Sequence, residues 1–332
     1  MSADARKPDS EGNPTVSITG AGGYVGSRVV TTLRDHHPDW ELRAFDNFYR
    51  GEVHRIGDIE VEYLDVRHRE RLESALAGSD VVIHLAAASD VDSCRDDAEF
   101  ALESNVHGTT NVAWFCRNSG AGLVFPFSMA VLGDPEEFPI TVDTTRRPMN
   151  WYGETKLVGE RTIESLAAGS FPAHLFLKAN VYGEHAVGDR RISRGMVVDF
   201  FVGRAFADEP LTVYEPGTQA RNFVHVMDVA EAYRRSVERL LTALENGGTG
   251  VSKYEIASDE EWTVMELAEL VRESVADETE RDPDIELIEN PRGDETLVAE
   301  FSVDISAAER ELGWEPSHSM RDTVRTLVRR GE

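Results

Sequence analysis

The run Thr15-Val-Ser-Ile-Thr19 passes straight into Gly20-Ala-Gly-Gly23-Tyr-Val-Gly26, and this junction decides the fold. The first five residues are rich in β-branched side chains and read as a strand. The glycines after them permit a tight bend, and Tyr24–His36 continues with helical periodicity. Strand, glycine turn and helix in that order make a dinucleotide-binding turn. The backbone approaches a pyrophosphate closely there, and the first helical N–H groups point at it. Asp46 stands 20 residues beyond Gly26, at the end of the next apolar run, Leu42–Phe45. A carboxylate there accepts from the adenosine ribose hydroxyl and repels a 2′-phosphate, which favours NAD over NADP. Arg50 is the opposing signal and reads as a surface arginine. Asp65, after a third strand, has two open readings: a partner for the adenine amine, or a helix N-cap.

Outward from this junction the chain alternates strand and helix. Val61–Leu64, Val81–Leu85, Leu123–Phe127 and His174–Lys178 read as further strands. Glu70–Leu76, Ala98–Asn118 and Tyr152–Ala168 read as helices. That alternation predicts an α/β fold, a Rossmann-type doubly wound parallel sheet covered on both faces. After Asn180 the loops lengthen and the alternation weakens. Helices are expected at Met196–Ala207, Val229–Leu244, Val264–Ala276 and Met320–Arg329, and strands at Leu211–Tyr214, Phe223–Val226 and Tyr254–Ile256. The expected division is a disordered tail over 1–13 and an NAD-binding domain over 14–180, to which 221–246 returns. A smaller, partly interleaved α/β substrate domain is expected over 181–220 and 251–330.

Composition narrows the class. The 332 residues hold 61 Asp plus Glu against 34 Lys plus Arg, a formal net charge of -27, spread along the whole chain. Such a field repels nucleic acid and fits a halophilic, salt-adapted surface. Only four of the cations are lysines, Lys7, Lys156, Lys178 and Lys253, so a lysine inside a motif stands out. No run of apolar residues is long enough to span a membrane. The polar N-terminus lacks the pattern of a secretion signal. Cys94 and Cys116 have no second Cys or His at a metal-ligand spacing and read as reduced thiols, so a cytoplasmic protein without a metal is expected.

Tyr152-Gly-Glu-Thr-Lys156 carries the chemistry. Residues four apart share a helix face, so the phenol and the ammonium converge. Free tyrosine is a poor base at neutral pH; bringing it to roughly 7 takes about 3 pKa units, or about 4 kcal/mol. A neighbouring cation acts in that direction, and lysine together with an oxidised nicotinamide supplies two. Ser128 ends the strand upstream, where its hydroxyl can hold the same substrate oxygen.

These motifs, with His84-Leu-Ala-Ala87, Asn105-Val-His-Gly-Thr109, Asn180-Val-Tyr-Gly183, Arg221-Asn-Phe-Val224, Asp228-Val-Ala230 and Leu312-Gly-Trp-Glu-Pro316, give the chain its resemblance. It resembles an extended short-chain dehydrogenase/reductase of the nucleotide-sugar epimerase/dehydratase family, UDP-glucose 4-epimerase-like, over nearly all of Val16 to Pro316. The resemblance implies that Gly20, Gly23, Tyr24, Val25, Gly26, Asp46, Asn47, Asp65, Val66, Leu85, Ala86, Ala87 and Asn105 hold NAD, with Lys156 on its ribose. It implies that Tyr152 takes a proton from a sugar hydroxyl, that NAD takes the hydride from the same carbon, and that the hydride returns to the other face. Ser128 hydrogen-bonds the reacting oxygen. Asn180, Arg221 and Arg292 would meet the diphosphate of a nucleotide sugar, expected to be a UDP-sugar. Family dehydratases carry an Asp-Glu pair just after the Ser/Thr; Met129 and Ala130 stand there, which disfavours elimination of water. Lys178 stands where arginine is common. A homodimer through Ala98–Asn118 and Tyr152–Ala168 is also implied. A dehydrogenase on a free sugar would use the same Tyr–Lys–Ser site, and a non-catalytic NAD-binding scaffold is the reading from another class.

Overall fold

The computed structural model describes residues 12–291 and 296–331. Most of the expected tail, residues 1–11, and Arg292 fall outside the described residues.

Among the described residues, fifteen strands run in chain order. They are β1 (Thr15–Thr19), β2 (Glu41–Asp46), β3 (Arg55–Ile56), β4 (Ile59–Tyr63), β5 (Val81–His84), β6 (Gly122–Ser128), β7 (Pro172–Lys178), β8 (Asn180–Tyr182), β9 (His185–Val187), β10 (Arg190–Ile192), β11 (Leu211–Tyr214), β12 (Ala220–His225), β13 (Gly250–Ile256), β14 (Glu261–Thr263) and β15 (Ile285–Ile288). The helices are α1 (Tyr24–His36), α2 (Arg69–Leu76), α3 (Val91–Asp96), α4 (Ala98–Ala101), α5 (Thr109–Ser119), α6 (Trp151–Ala167), α7 (Val197–Phe206), α8 (Val226–Glu245), α9 (Val264–Glu278), α10 (Ser306–Leu312) and α11 (Met320–Arg330).

The central sheet has eight strands in the order β13-β7-β6-β5-β1-β2-β4-β3. All its pairings are parallel except β3 with β4. The middle strands are buried along their length because both faces are covered: α1 and α8 pack together on one side, and α2, α5 and α6 on the other. Such strands read as unbroken apolar runs, which is why they were legible. The chain leaves β1 in one direction for β2 and β4 and in the other for β5, β6 and β7. The strand order therefore reverses between β1 and β5, and ligands bind outside the carboxyl ends of the strands at such a point.

A second apolar core joins α7, α9 and α11 to β11, through Val198, Phe201, Leu211, Val213, Leu267, Val271, Val324 and Leu327. Two assignments differ from the expected division. β13 lies in residues assigned to the second unit, yet it pairs with β7 along its whole length and forms the edge of the central sheet. Its inner half, Tyr254 to Ile256, is buried against the main core, and α10 and Trp314 pack there too. The Trp314 indole N–H donates to the Asp228 carbonyl at 2.8 Å. The chain thus crosses between the two cores more often than sequence periodicity indicates.

The expected helix over Ala98–Asn118 also differs. It divides into α4, a π-helical turn over Leu102–Gly108, and α5. Gly108, at the end of the π-helical turn, lets it lie close on Val66, because a Cβ there would meet Val66 Cγ2 at 2.6 Å. Among the described residues no helix is long and apolar enough to cross a membrane. Cys94 and Cys116 are buried and unpaired.

Candidate active site

A cleft of about 620 Å³ opens at the strand-order reversal. One wall is the glycine turn, with Gly20, Gly22, Gly23, Tyr24, Val25 and Gly26 lining it. Gly20 has φ +75, and a Cβ there would meet the Ala86 nitrogen at 2.6 Å, so the turn lies directly on Leu85–Ala87, which also line the cleft. A Cβ on Gly26 would collide with the Gly20 carbonyl. Gly23 begins α1 with no side-chain cap, which leaves the first N–H groups of the helix open to an anion. This cradle, closed to side chains and open to phosphate, fits a dinucleotide.

Asp46, Asn47, Leu64 and Val66 line the next stretch. The buried Asp46 carboxylate accepts from the Gly22 N–H at 2.9 Å and from the Phe48 N–H at 2.8 Å, so it ties the glycine turn to the loop after β2. Burial raises its pKa, opposed by those N–H groups. Arg50 is paired with Asp90 at 3.2 Å rather than turned toward a 2′-phosphate.

Two expected cofactor residues do something else. Asp65 neither lines the cleft nor caps α2; its two oxygens are held by the Arg67 guanidinium at 2.7–3.0 Å, and Arg67 also pairs with Glu103. Asn105 is buried beneath the site and works as a brace. Its oxygen accepts from the Ala88 N–H at 2.8 Å, and its amide donates to the Ala88 carbonyl and the Thr155 hydroxyl, both at 3.0 Å. The π-helical turn aims it there.

α6 delivers Tyr152 and Lys156 to the cleft floor. Asn150 caps the helix by accepting from the Gly153 N–H at 3.0 Å. Gly153 is required because a Cβ would strike the backbone of Ala130. The Ser128 hydroxyl lies close enough to the phenol to lower its pKa. The Lys156 ammonium lies 5.9 Å from the Tyr152 ring centre and faces the Pro126 carbonyl at 3.5 Å. The glycine cradle, the carboxylate at the end of β2, Tyr152 and Lys156 thus face one cavity, with Ser128 beside the phenol.

Residues 16–250 match the model of the NAD dependent epimerase/dehydratase family. The chain belongs to that family. It is 30% identical over 326 residues to UDP-glucuronic acid decarboxylase 1 of Arabidopsis thaliana, covering 94% of this chain and 68% of that protein. It is 27% identical over 318 residues to a putative UDP-glucose 4-epimerase of Methanocaldococcus jannaschii, covering 94% and 97%. Among solved structures, UDP-glucose 4-epimerase from Brucella ovis in complex with NAD superposes with a TM-score of 0.80 at 22% identity, over 96% of this chain and 98% of that one. The cofactor of this NAD-dependent epimerase/dehydratase family member is accordingly NAD.

Within this family frame the electrostatics bear on how the phenol is activated. Burial, the largest influence, pushes the Tyr152 phenol above its ordinary value, against the Ser128 hydrogen bond and the Arg194 charge. Burial likewise drives Lys156 down to about 8. Lys156 alone therefore does not bring the phenol toward neutrality; a further positive charge beside it is needed.

The family's diphosphate residues stand apart from this cleft. Asn180 is exposed at the start of β8, and Arg221 lies on the neighbouring β12. The Arg221 guanidinium donates to the carbonyls of Ala220 at 2.8 Å and Thr296 at 2.6 Å.

Sequence reading missed Arg191, Arg194, Lys178 and Tyr233 on the cleft wall. Arg194 donates to the Ser89 carbonyl at 3.0 Å and to Asp90 at 3.2 Å. No local motif marks it. Lys178 was detectable through the scarcity of lysine alone.

Proposed function

We propose that this chain is an NAD-dependent nucleotide-sugar epimerase that oxidises a sugar hydroxyl, releases the keto sugar from its first orientation, and reduces it from the opposite face. The observation that carries this is Tyr152 and Lys156, one helical turn apart on the cleft wall, with the Ser128 hydroxyl near the phenol and Met129 and Ala130 following it in the chain. Bound NAD supplies the hydride acceptor, and its oxidised ring adds the positive charge that Tyr152 lacks. Tyr152, as phenolate, takes the hydroxyl proton, and Ser128 holds the oxygen as it becomes a carbonyl. Lys156 lends its charge to the phenolate and meets the cofactor ribose. Neither Met129 nor Ala130 can act as acid or base, so nothing beside Ser128 serves the elimination of water. Tight retention of NAD is part of the reading, because the same hydride must return.

A second reading is supported by the Arabidopsis relative. Oxidation at the fourth ring carbon of a uronic sugar makes a β-keto acid, which loses carbon dioxide without an added acid–base pair. The test is mass spectrometry of the purified protein for NAD, followed by NMR of UDP-sugars incubated without added cofactor. A 4-epimer at equilibrium supports the proposal. A pentose product with carbon dioxide moves the assignment to decarboxylation. Reduced cofactor accumulating with a free sugar sinks the epimerase and points to a dehydrogenase. A homodimer through α5 and α6 and a salt-adapted surface belong to the same proposal.

A further inference from the structure

We propose that Lys178 is the carboxylate anchor of this site, selecting a nucleotide-linked uronic sugar over the corresponding hexose. The inference rests on the nucleotide-sugar reading above and adds the identity of the substituent on the fifth ring carbon.

Lys178 ends β7 and is in register with Ser128 at the end of β6. Side chains in register on adjacent parallel strands project from the same face of the sheet. The ammonium thus starts beside the hydroxyl that holds Tyr152, and it lines the cleft. Its surroundings are cationic. Burial pulls its pKa down to about 7, and the charges of Arg194 and Lys156 push the same way. The neighbouring cations have partners: Arg194 has Asp90, Lys156 has the Pro126 carbonyl, and Lys253 has Glu160 and Glu164, both at 2.6 Å. Among the described residues, no carboxylate or carbonyl takes the Lys178 ammonium. Lys178 is half-buried on the cleft wall, and a cation there with no carboxylate or carbonyl on it marks a place for a ligand of opposite sign.

The anion is not the dinucleotide pyrophosphate. That group belongs to the glycine turn after β1, and β7 is three strands away, about 14 Å at ordinary strand spacing. What lies next to Lys178 is the reacting end of the substrate. The carboxyl carbon of a uronic sugar is two bonds from the carbon whose oxygen Tyr152 and Ser128 hold. A lysine chain starting beside Ser128 spans that gap, and the hexose hydroxymethyl group leaves the ammonium without a counter-charge. The chain's net charge of -27 repels anionic substrates in general, so a local cation cluster is what admits one.

The test is titration calorimetry on the NAD-loaded protein with UDP-glucuronate, its neutral primary amide, and UDP-glucose. Wild type is expected to bind UDP-glucuronate at least about 10-fold more tightly than either neutral ligand, the scale of one charge-assisted hydrogen bond. In Lys178→Met that ratio is expected to collapse toward one. Equal binding of the three ligands by wild type overturns the anchor while leaving the nucleotide-sugar reading intact. A wild-type preference that survives in Lys178→Met also overturns it. Should the variant fail to fold, the comparison of acid with amide on wild type decides alone. Failure of every UDP-sugar to bind overturns the nucleotide-sugar reading itself, and the anchor with it.

Discussion

Ser128 and Lys178 occupy register positions on adjacent parallel strands, so the hydroxyl that lowers the Tyr152 pKa stands beside an ammonium that, among the described residues, has no counter-charge. The second of these has a measurable effect on stability. The folded-state pKa of Lys178 lies at about 7, against an ordinary 10.5. Below pH 7 the folded chain must hold a buried ammonium, and the full cost is present. Between the two values the unfolded chain binds the proton that the folded chain has released, so stability rises with pH across that window. Lys178→Met removes the cost. Its melting temperature should exceed that of wild type most at about pH 6, with the gain fading toward about pH 10. A gain of constant size across that range contradicts the burial of an unpaired charge.

Tyr152→Phe removes the proton acceptor and leaves the ring packed against Ala88, Cys94 and Ala101. Turnover should drop about 10²- to 10⁴-fold, the usual scale of general acid–base catalysis, with NAD still bound by mass spectrometry. If every activity persisted at the wild-type level, the non-catalytic scaffold would become the better account.

Asp46→Ala leaves the buried N–H groups of Gly22 and Phe48 without an acceptor. Each orphaned donor costs about 1–3 kcal/mol. We expect a lowered melting temperature together with loss of co-purified NAD, because the same carboxylate shapes the glycine turn. Asp46→Asn keeps one acceptor oxygen and should fall between.

The net charge of -27 sets a salt dependence. Screening weakens carboxylate repulsion over a Debye length that shrinks from about 10 Å at 0.1 M to about 3 Å at 1 M. The melting temperature should climb over that range of potassium chloride. A flat or falling curve would remove the salt-adapted reading of the surface.

The dimer has a site as well as an expectation. Leu102 on the π-helical turn, with Trp151 and Val158 on α6, are large apolar residues 36%, 40% and 41% exposed. Sedimentation should give a dimer, and Val158→Glu a monomer that keeps its far-ultraviolet dichroism. A wild-type monomer at working salt rules the interface out.

What the sequence disclosed depends on how local each signal is. The turn Gly20–Gly26 and the pair Tyr152 and Lys156 are set by neighbours within one helical turn, and both stand where periodicity puts them. The short strands β3, β8, β9, β10, β14 and β15 carry two to four residues each and exist through distant pairing, as β12 does with β14. Of β13 only the buried inner half, Tyr254–Ile256, was legible. Its half-buried first half, Gly-Val-Ser-Lys, gave no sign of a full-length partner in β7. Asp65 was readable as a polar residue after a strand, but the guanidinium that claims it was not. Arg194 reaches Asp90 across about a hundred residues, beyond any motif.

Tyr24 belongs to the dinucleotide turn, yet both its ends are anchored elsewhere. Its hydroxyl donates to the Gly183 carbonyl, and its own carbonyl bonds His185 Nε2 at 2.9 Å. Gly183 and His185 open the first crossing into the second unit. Under the proposed function, a shift of that unit would be felt at the helix end that would meet the cofactor. Linkage would make such coupling reciprocal: whatever factor the sugar nucleotide added to NAD retention, NAD would return to the sugar nucleotide. The keto sugar and the reduced cofactor would then guard each other against escape.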